Sequence, residues 1–125
     1  MNTEIGIEYR NANNDKSSTS FVLLGQFTKE QFEMIPQLMH EGEFFVPREI
    51  GLPNPAESAV ASYGYDDDMD HGLCYLPELD KSFDDFIQQT TTTAKDYGLS
   101  VQDFIDRLTN ANHDGVTESL RLQQI

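Results

Sequence analysis

The sequence contains a single cysteine, Cys74, no tryptophan, and no apolar run as long as the roughly 18 residues that a membrane-spanning helix requires. One cysteine cannot form a disulfide within the chain, which fits a reducing compartment. Residues 1–4 carry neither the basic nor the apolar segment of a secretory signal. Together these absences predict a cytoplasmic protein.

Basic residues are also scarce, with 8 Lys and Arg against 22 Asp and Glu and a formal net charge of −14. A polyanion is repelled by the phosphates of DNA and RNA and by anionic membrane surfaces, so we expect neither direct nucleic-acid binding nor membrane binding. A basic protein surface would instead be attracted. The alternative is that the acidity serves only to keep the protein soluble.

Half of the net charge lies in one segment, residues 66–85, where Lys81 is the single base. Like charges at this density repel one another, so a use for them in binding is plausible. The acids of this segment are Asp66, Asp67, Asp68, Asp70, Glu78, Asp80, Asp84 and Asp85.

The first half of the chain reads as a hairpin, a helix and an extended piece. Residues 5–9 alternate apolar and polar side chains, and 21–24 form an apolar run, which predicts two strands joined by a long loop over 11–18. Thr28 and Gln31 form a capping box for a helix, which Pro36 must kink or shorten. Residues 43–47 are predicted to be extended, followed by an irregular connection over 47–57.

The second half is predicted to contain two further strands, at 60–65 and 73–76, paired across the acidic segment. A helix is predicted from Ser82 to Tyr97, and another from Ser100 with Val101, Phe104, Ile105 and Leu108 on its buried face. The last ten residues read as an edge strand or a frayed tail. Strands followed by helices predict one α+β domain, residues 1–125, with a small antiparallel sheet of four to five strands packed against about three helices.

The run Asp66–His71 resembles the start of a calcium loop, with Asp66, Asp68 and Asp70 at the first, third and fifth positions. His71 stands where the loop requires glycine, and Pro77 stands where it requires glutamate. A metal-binding protein or a metal-dependent enzyme using Asp66–His71 is therefore the alternative function. His71 and Cys74 are too few for a structural zinc site, and no catalytic motif is present, so we expect no enzyme and no cofactor.

Two stretches carry a resemblance to known sequences: residues 9–13, and residues 41–47 followed by 51–53. Together they resemble a group of short bacterial proteins of unassigned activity that are linked to plasmids, prophages and other mobile genetic elements. The resemblance covers about the first 80 residues. It implies a phage or plasmid setting, in which small acidic proteins often inhibit host defence, for example as anti-CRISPR proteins.

The sequence thus predicts a non-catalytic, acidic protein-binding module that inhibits a basic nucleic-acid-handling host protein, with an anti-defence role as its concrete form. Tyrosines beside the acidic segment would add apolar contact area and hydroxyls to such an interface, although tyrosines are also common in strands. The predicted partner-binding residues are Tyr63, Tyr65, Asp66, Asp67, Asp68, Asp70, Glu78, Asp80, Asp84 and Asp85.

Overall fold

The alternating residues at the start of the chain form the central strand of a sheet. The computed structural model describes residues 1–88, 90–91 and 98–125. The strands are β1 (Asn2–Arg10), β2 (Lys16–Leu23), β3 (Phe44–Phe45), β4 (Cys74–Tyr75) and β5 (Thr90–Thr91). The helices are α1 (Lys29–Met34), α2 (Ala56–Tyr63), α3 (Phe83–Phe86), α4 (Val101–Asn110) and α5 (Gly115–Leu122). The predicted α+β class is confirmed.

The sheet is antiparallel, in the order β2-β1-β4-β3, and β5 pairs with the start of β1. β2 occupies one edge of β1, so β4 and β5 share the other edge: Tyr75 lies opposite Glu8, and Thr90 lies opposite Thr3. β4 and then β5 therefore follow each other along β1 in the opposite direction. This places the acidic segment beside the sheet.

A carboxylate fills the gap that β4 and β5 leave on this edge of β1. The backbone N–H of Gly6 donates to Glu78 Oε1 at 3.0 Å. A Cβ at Gly6 would lie 3.2 Å from the same oxygen, closer than ordinary van der Waals contact. The side chain of Glu78 thus replaces a missing strand partner, and the glycine leaves room for it.

Phenylalanines join the sheet to three helices in the core. Phe104 of α4 lies with its ring centroid 5.7 Å from that of Phe21 on β2 and 6.2 Å from that of Phe27. Phe86 of α3 lies 5.4 Å from Phe27 and 4.6 Å from Phe32 of α1. Such offset and edge-on pairs add to the free energy gained from burial. The cluster holds α1, α3 and α4 on one face of the sheet.

Local signals in the sequence located two helices correctly. Thr28 and Gln31 form the predicted capping box of α1, and Ser100 forms one with Asp103 at the start of α4. Pro36 has the predicted shortening effect, because the α-helix stops at Met34 and continues as a 3₁₀ turn over Ile35–Leu38. The predicted stripe of α4 is buried throughout.

Three predicted elements were wrong. Residues 60–63 belong to helix α2, whose Ala56 and Val60 are buried one turn apart, so the predicted hairpin across the acidic segment does not form. The chain end is also helical: Asp114 caps α5, and the apparent alternation hid a helical face, with Leu122 buried and Leu120 exposed.

The helix predicted from Ser82 to Tyr97 is the third error. It ends at Phe86, and Thr90–Thr91 form β5, in keeping with the preference of β-branched residues for strands. The remaining predicted positions Ala94 and Tyr97 lie outside the described residues. Among the described residues, no helix has the length and apolar character needed to cross a membrane.

Candidate protein-binding surface

The acidic loop, residues 64–72, connects α2 to β4 and is folded around Asp70. The Asp70 carboxylate accepts three hydrogen bonds, from the Tyr9 hydroxyl at 2.5 Å, the Asn11 side-chain amide at 3.2 Å and the Asp66 backbone N–H at 2.9 Å. The Tyr65 hydroxyl donates to the Asp70 carbonyl at 3.0 Å. Asp70 therefore ties the loop to the end of β1.

Hydrogen bonding explains the protonation behaviour of this anchor. Burial alone would raise the pKa of Asp70, but the bonds from Tyr9, Asp66 and Asn11, with the nearby His71, more than offset it and leave the pKa below its usual value. Burial and the bond to Asp70 raise the pKa of Tyr9. Asp70 is thus held as a carboxylate and Tyr9 as a neutral donor.

The three preceding aspartates face solvent. Asp66 Oδ1 accepts from the backbone N–H of Asp68 at 2.9 Å, and backbone bonds from Met69 and Asp70 to the Asp66 carbonyl close the turn. Asp67 Oδ1 accepts from Gln123 at 3.2 Å, which links the loop to the end of α5. Asp66, Asp67 and Asp68 are all exposed. The loop therefore presents three adjacent carboxylates on a hydrogen-bonded frame.

The other predicted partner-binding residues lie on two further elements, a 3₁₀ turn beside β1 and the helix α3. Glu78 is turned inward onto Gly6, whereas Asp80 is exposed in a 3₁₀ turn. Asp84 and Asp85 are exposed in the first turn of α3. The loop bonds to β1 at Tyr9 and Glu78 bonds to it at Gly6, so about 10 Å of strand separates these two points of attachment.

Two tyrosines flank the acidic loop with different environments. Tyr63 ends α2 and is 90% exposed, whereas Tyr65 is half-buried and bonded to the loop backbone. Tyr63 therefore offers its whole ring to a partner, and Tyr65 chiefly supports the loop. Within the described residues, no ion pair involves the acids of 66–85; the ion pairs lie elsewhere, with partners such as Glu57 and Glu118.

A buried polar network beneath the loop holds its far end. Asn54 donates to Glu118 Oε2 at 2.9 Å and to the Gly72 carbonyl at 3.4 Å, and the Cys74 thiol donates to Asn54 Oδ1 at 3.1 Å. Arg121 donates from Nε to Glu118 Oε1 at 2.5 Å and pairs with Glu57 at 2.7 Å. The negative charge of Glu118, which is 4% exposed, is thus compensated by Arg121 inside the fold.

His71 and Cys74, whose spacing could supply two zinc ligands, both form hydrogen bonds within the fold. His71 Nε2 lies 2.8 Å from the Arg10 carbonyl and its Nδ1 accepts from the Leu73 N–H at 3.0 Å. Burial, with a smaller contribution from Glu118, raises the pKa of the Cys74 thiol, which disfavours a reactive thiolate. Among the described residues, no three His, Cys, Asp or Glu side chains are grouped closely enough to hold a metal ion.

Sequence reasoning missed two depressions beside β3 and β4. The first has a volume of about 620 Å³, and Arg10, Phe44, Leu73, Tyr75, Leu79 and Asp80 contribute to its walls. Both stretches that carry the resemblance reach it, through residues 10–12 and 42–44, a convergence that only the fold reveals. The second, of about 850 Å³, lies between Leu73 and α5.

Comparison with family models, with curated proteins and with solved structures finds no significant match to this chain.

Proposed function

We propose that this chain is a non-catalytic protein-binding module whose exposed carboxylates engage a basic surface on a nucleic-acid-handling protein. The observation that supports it best is the acidic loop, where Asp66, Asp67 and Asp68 face solvent on a frame fixed by Asp70. Carboxylates held in place form charge-assisted bonds with Lys and Arg at a smaller entropic cost than mobile ones.

The charge of the whole chain supports the same partner chemistry. A net charge of −14 attracts a basic protein over a distance that is set by salt, and it opposes direct binding to DNA or RNA. A surface that normally binds phosphates presents the complementary Lys and Arg. The resemblance to proteins of mobile elements makes inhibition of a host defence protein the concrete form of the proposal.

Affinity capture from a bacterial lysate, followed by binding isotherms with each recovered protein, tests this proposal. We expect basic, nucleic-acid-binding partners whose affinity falls as salt is raised and which added nucleic acid displaces. The variant D66N/D67N/D68N should bind at least about tenfold more weakly at low salt, a loss of about 1.4 kcal/mol.

A control variant with the same change of net charge distinguishes binding at the acidic loop from a general attraction to the negative charge of the whole protein. E30Q/E33Q/D106N removes three exposed carboxylates from α1 and α4, and we expect it to weaken binding by less than about threefold. Equal losses in both variants, or recovery of no basic partner, would contradict the proposal. Heat on titration with calcium, magnesium, manganese or zinc that D66N/D67N/D68N abolishes would favour the metal-binding alternative.

A further inference from the structure

The two depressions beside β3 and β4 adjoin each other, because both are lined by His71 and Leu73, and they are here called the groove. Phe44 and Tyr75 lie in the first, and α5 forms a wall of the second. Volumes of about 620 and 850 Å³ are in the range of sites that enclose several side chains of a ligand.

The floor and walls of this groove present apolar side chains. Val116 and Leu120, one turn apart on α5, are 74% and 57% exposed where they line the second depression. Leu73, Phe44 and Tyr75 are each partly exposed along the rest of its length. Exposed apolar side chains that line a concavity gain free energy when a ligand removes them from water.

Negative charge borders the groove at both ends. Glu43 and Asp80 line the first depression, and Asp114 lines the second. Gln123, which also lines the second, donates to Asp67 of the acidic loop. The groove therefore adjoins the same carboxylates that the proposed function assigns to a basic partner.

Arg10, a cation that lines the first depression, is already paired with Glu8. Arg10 Nη2 lies 3.4 Å from Glu8 Oε1, and its guanidinium lies 5.7 Å from the centre of the Tyr75 ring. Burial and a hydrogen bond to Glu8 raise the pKa of Tyr75 to about 12, so this hydroxyl stays neutral. An acidic ligand would have no unpaired Lys or Arg to meet among these lining residues.

The backbone beside the groove is closed to a further strand at Phe44. His40 N–H donates to the Phe44 carbonyl at 2.7 Å, and Phe44 N–H donates to the His40 carbonyl at 2.9 Å. An incoming chain therefore cannot extend the sheet at this residue by backbone pairing. At Phe44, recognition must therefore come from the side chain.

We propose that this groove binds an extended segment of the partner protein in which apolar side chains fill the two depressions and neighbouring Lys or Arg side chains meet the bordering carboxylates. This inference rests on the proposed function and adds the chemistry of the recognised segment. Apolar contacts supply most of the affinity, and the charges select a basic segment.

Fluorescence anisotropy with three labelled eight-residue peptides tests the inference. One peptide alternates lysine with leucine, the second alternates lysine with serine, and the third alternates glutamate with leucine. We expect the lysine–leucine peptide to bind at least about tenfold more tightly than the lysine–serine peptide, and the glutamate–leucine peptide not to bind.

Variants on α5 assign the contact to the groove. Val116→Ser and Leu120→Ser should each weaken binding of the lysine–leucine peptide by about fivefold and leave the lysine–serine peptide unaffected. Leu24→Ser is the matched control, since Leu24 is 48% exposed and does not line either depression. Val116, Leu120 and Leu24 are all exposed, so the fold should tolerate each substitution. Far-UV circular dichroism would check that the variants are folded.

The outcomes separate this inference from the proposed function. Equal affinity for the two lysine peptides, with a loss in D66N/D67N/D68N, would overturn the groove and support the acidic module alone. Binding of the glutamate–leucine peptide would overturn the basic character of the segment. Failure of both lysine peptides to bind would count against the groove and the acidic module together.

Discussion

Glu118 and the aspartates of the acidic loop carry the same functional group in two different environments. Glu118 is buried, and both of its oxygens accept hydrogen bonds from Arg121 or Asn54. Asp66, Asp67 and Asp68 are exposed and, within the described residues, have no basic partner. The two regions lie close in the fold, since Gly72 at the end of the loop is bonded to Asn54.

Under the proposed function, the buried carboxylate contributes to stability and the exposed carboxylates contribute to binding. Burying a carboxylate is costly unless charged and hydrogen-bonding partners compensate, and Glu118 has them. Leaving carboxylates exposed costs only mutual repulsion, and it keeps their oxygens available. Stability should therefore depend on the first region, and binding on the second.

Removal of the buried carboxylate should give the largest effect. Glu118→Ala leaves Arg121 without its main partner and the Asn54 amide with only its longer bond to the Gly72 carbonyl, so we expect the free energy of unfolding to fall by about 2–4 kcal/mol. Alanine is a better helix former than glutamate, so helix propensity cannot cause the loss. Urea denaturation followed by far-UV circular dichroism measures it, since the chain has no tryptophan.

A carboxylate on the surface of α1 provides the control. The side chain of Glu33 is 61% exposed and lies 4.0 Å from Lys29, so Glu33→Ala should change stability by about 0.5 kcal/mol or less. The double variant E118A/R121A should lose less than the sum of its single variants, because each single variant already removes the Glu118–Arg121 interaction. An effect of Glu118→Ala no larger than that of Glu33→Ala would remove the distinction between the regions.

The anchor of the acidic loop should give an intermediate, acid-sensitive effect. Tyr9→Phe keeps the ring and removes the donor to Asp70, so we expect a loss of about 1–2 kcal/mol near neutral pH. Asp70 has a lowered pKa in the fold, so its stabilisation is present above its unfolded pKa and is lost as pH falls through the folded pKa. The difference between wild type and variant should therefore narrow as pH falls below about 4, the ordinary pKa of an aspartate.

Urea denaturation of both proteins across this pH range measures the narrowing. Tyr63→Phe is the matched control, because that ring is 90% exposed, and it should match wild type at every pH. A difference between wild type and Tyr9→Phe that is constant with pH would mean that the hydroxyl acts only through packing.

Neutralising the loop should have the smallest effect on stability. In D66N/D67N/D68N the asparagines at positions 66 and 67 keep the oxygens that accept from the residue 68 N–H and from Gln123, so the frame survives. We expect a change within about 0.5 kcal/mol, directed toward greater stability because mutual repulsion falls. Raising the salt concentration should diminish that gain. A loss above about 1 kcal/mol would show that these charges serve the fold.

Local sequence signals predicted those parts of the fold in which a residue bonds its own neighbours. The capping boxes at Thr28 and Ser100 are of this kind, and both helices start where expected. The errors arose where partners are distant: Thr90–Thr91 form a strand because Asn2–Thr3 lie beside them. The alternation near the chain end was compatible with strand and helix, and only packing distinguished them.

The same limit applied to the candidate surface. The count of charges located the acidic loop, but it could not show that Asp70 faces Tyr9 or that Glu78 faces Gly6, since 61 and 72 residues separate these pairs. The groove was hidden for the same reason, because its walls come from distant stretches of chain. The pairing of Glu118 with Arg121 is indicated by their i, i+3 spacing, but that spacing is informative only in a helix.

The use of one edge of β1 by β4, Glu78 and β5 has a consequence for biosynthesis. β1 precedes the nearest of these partners by about 65 residues, which a ribosome adds in several seconds. During that interval the hairpin with β2 exposes an unprotected edge carrying Ile5 and Ile7, the kind of surface on which nascent chains self-associate. Arrival of Glu78 at Gly6, with β4 and β5 on either side, ends that exposure and commits the chain to its native topology.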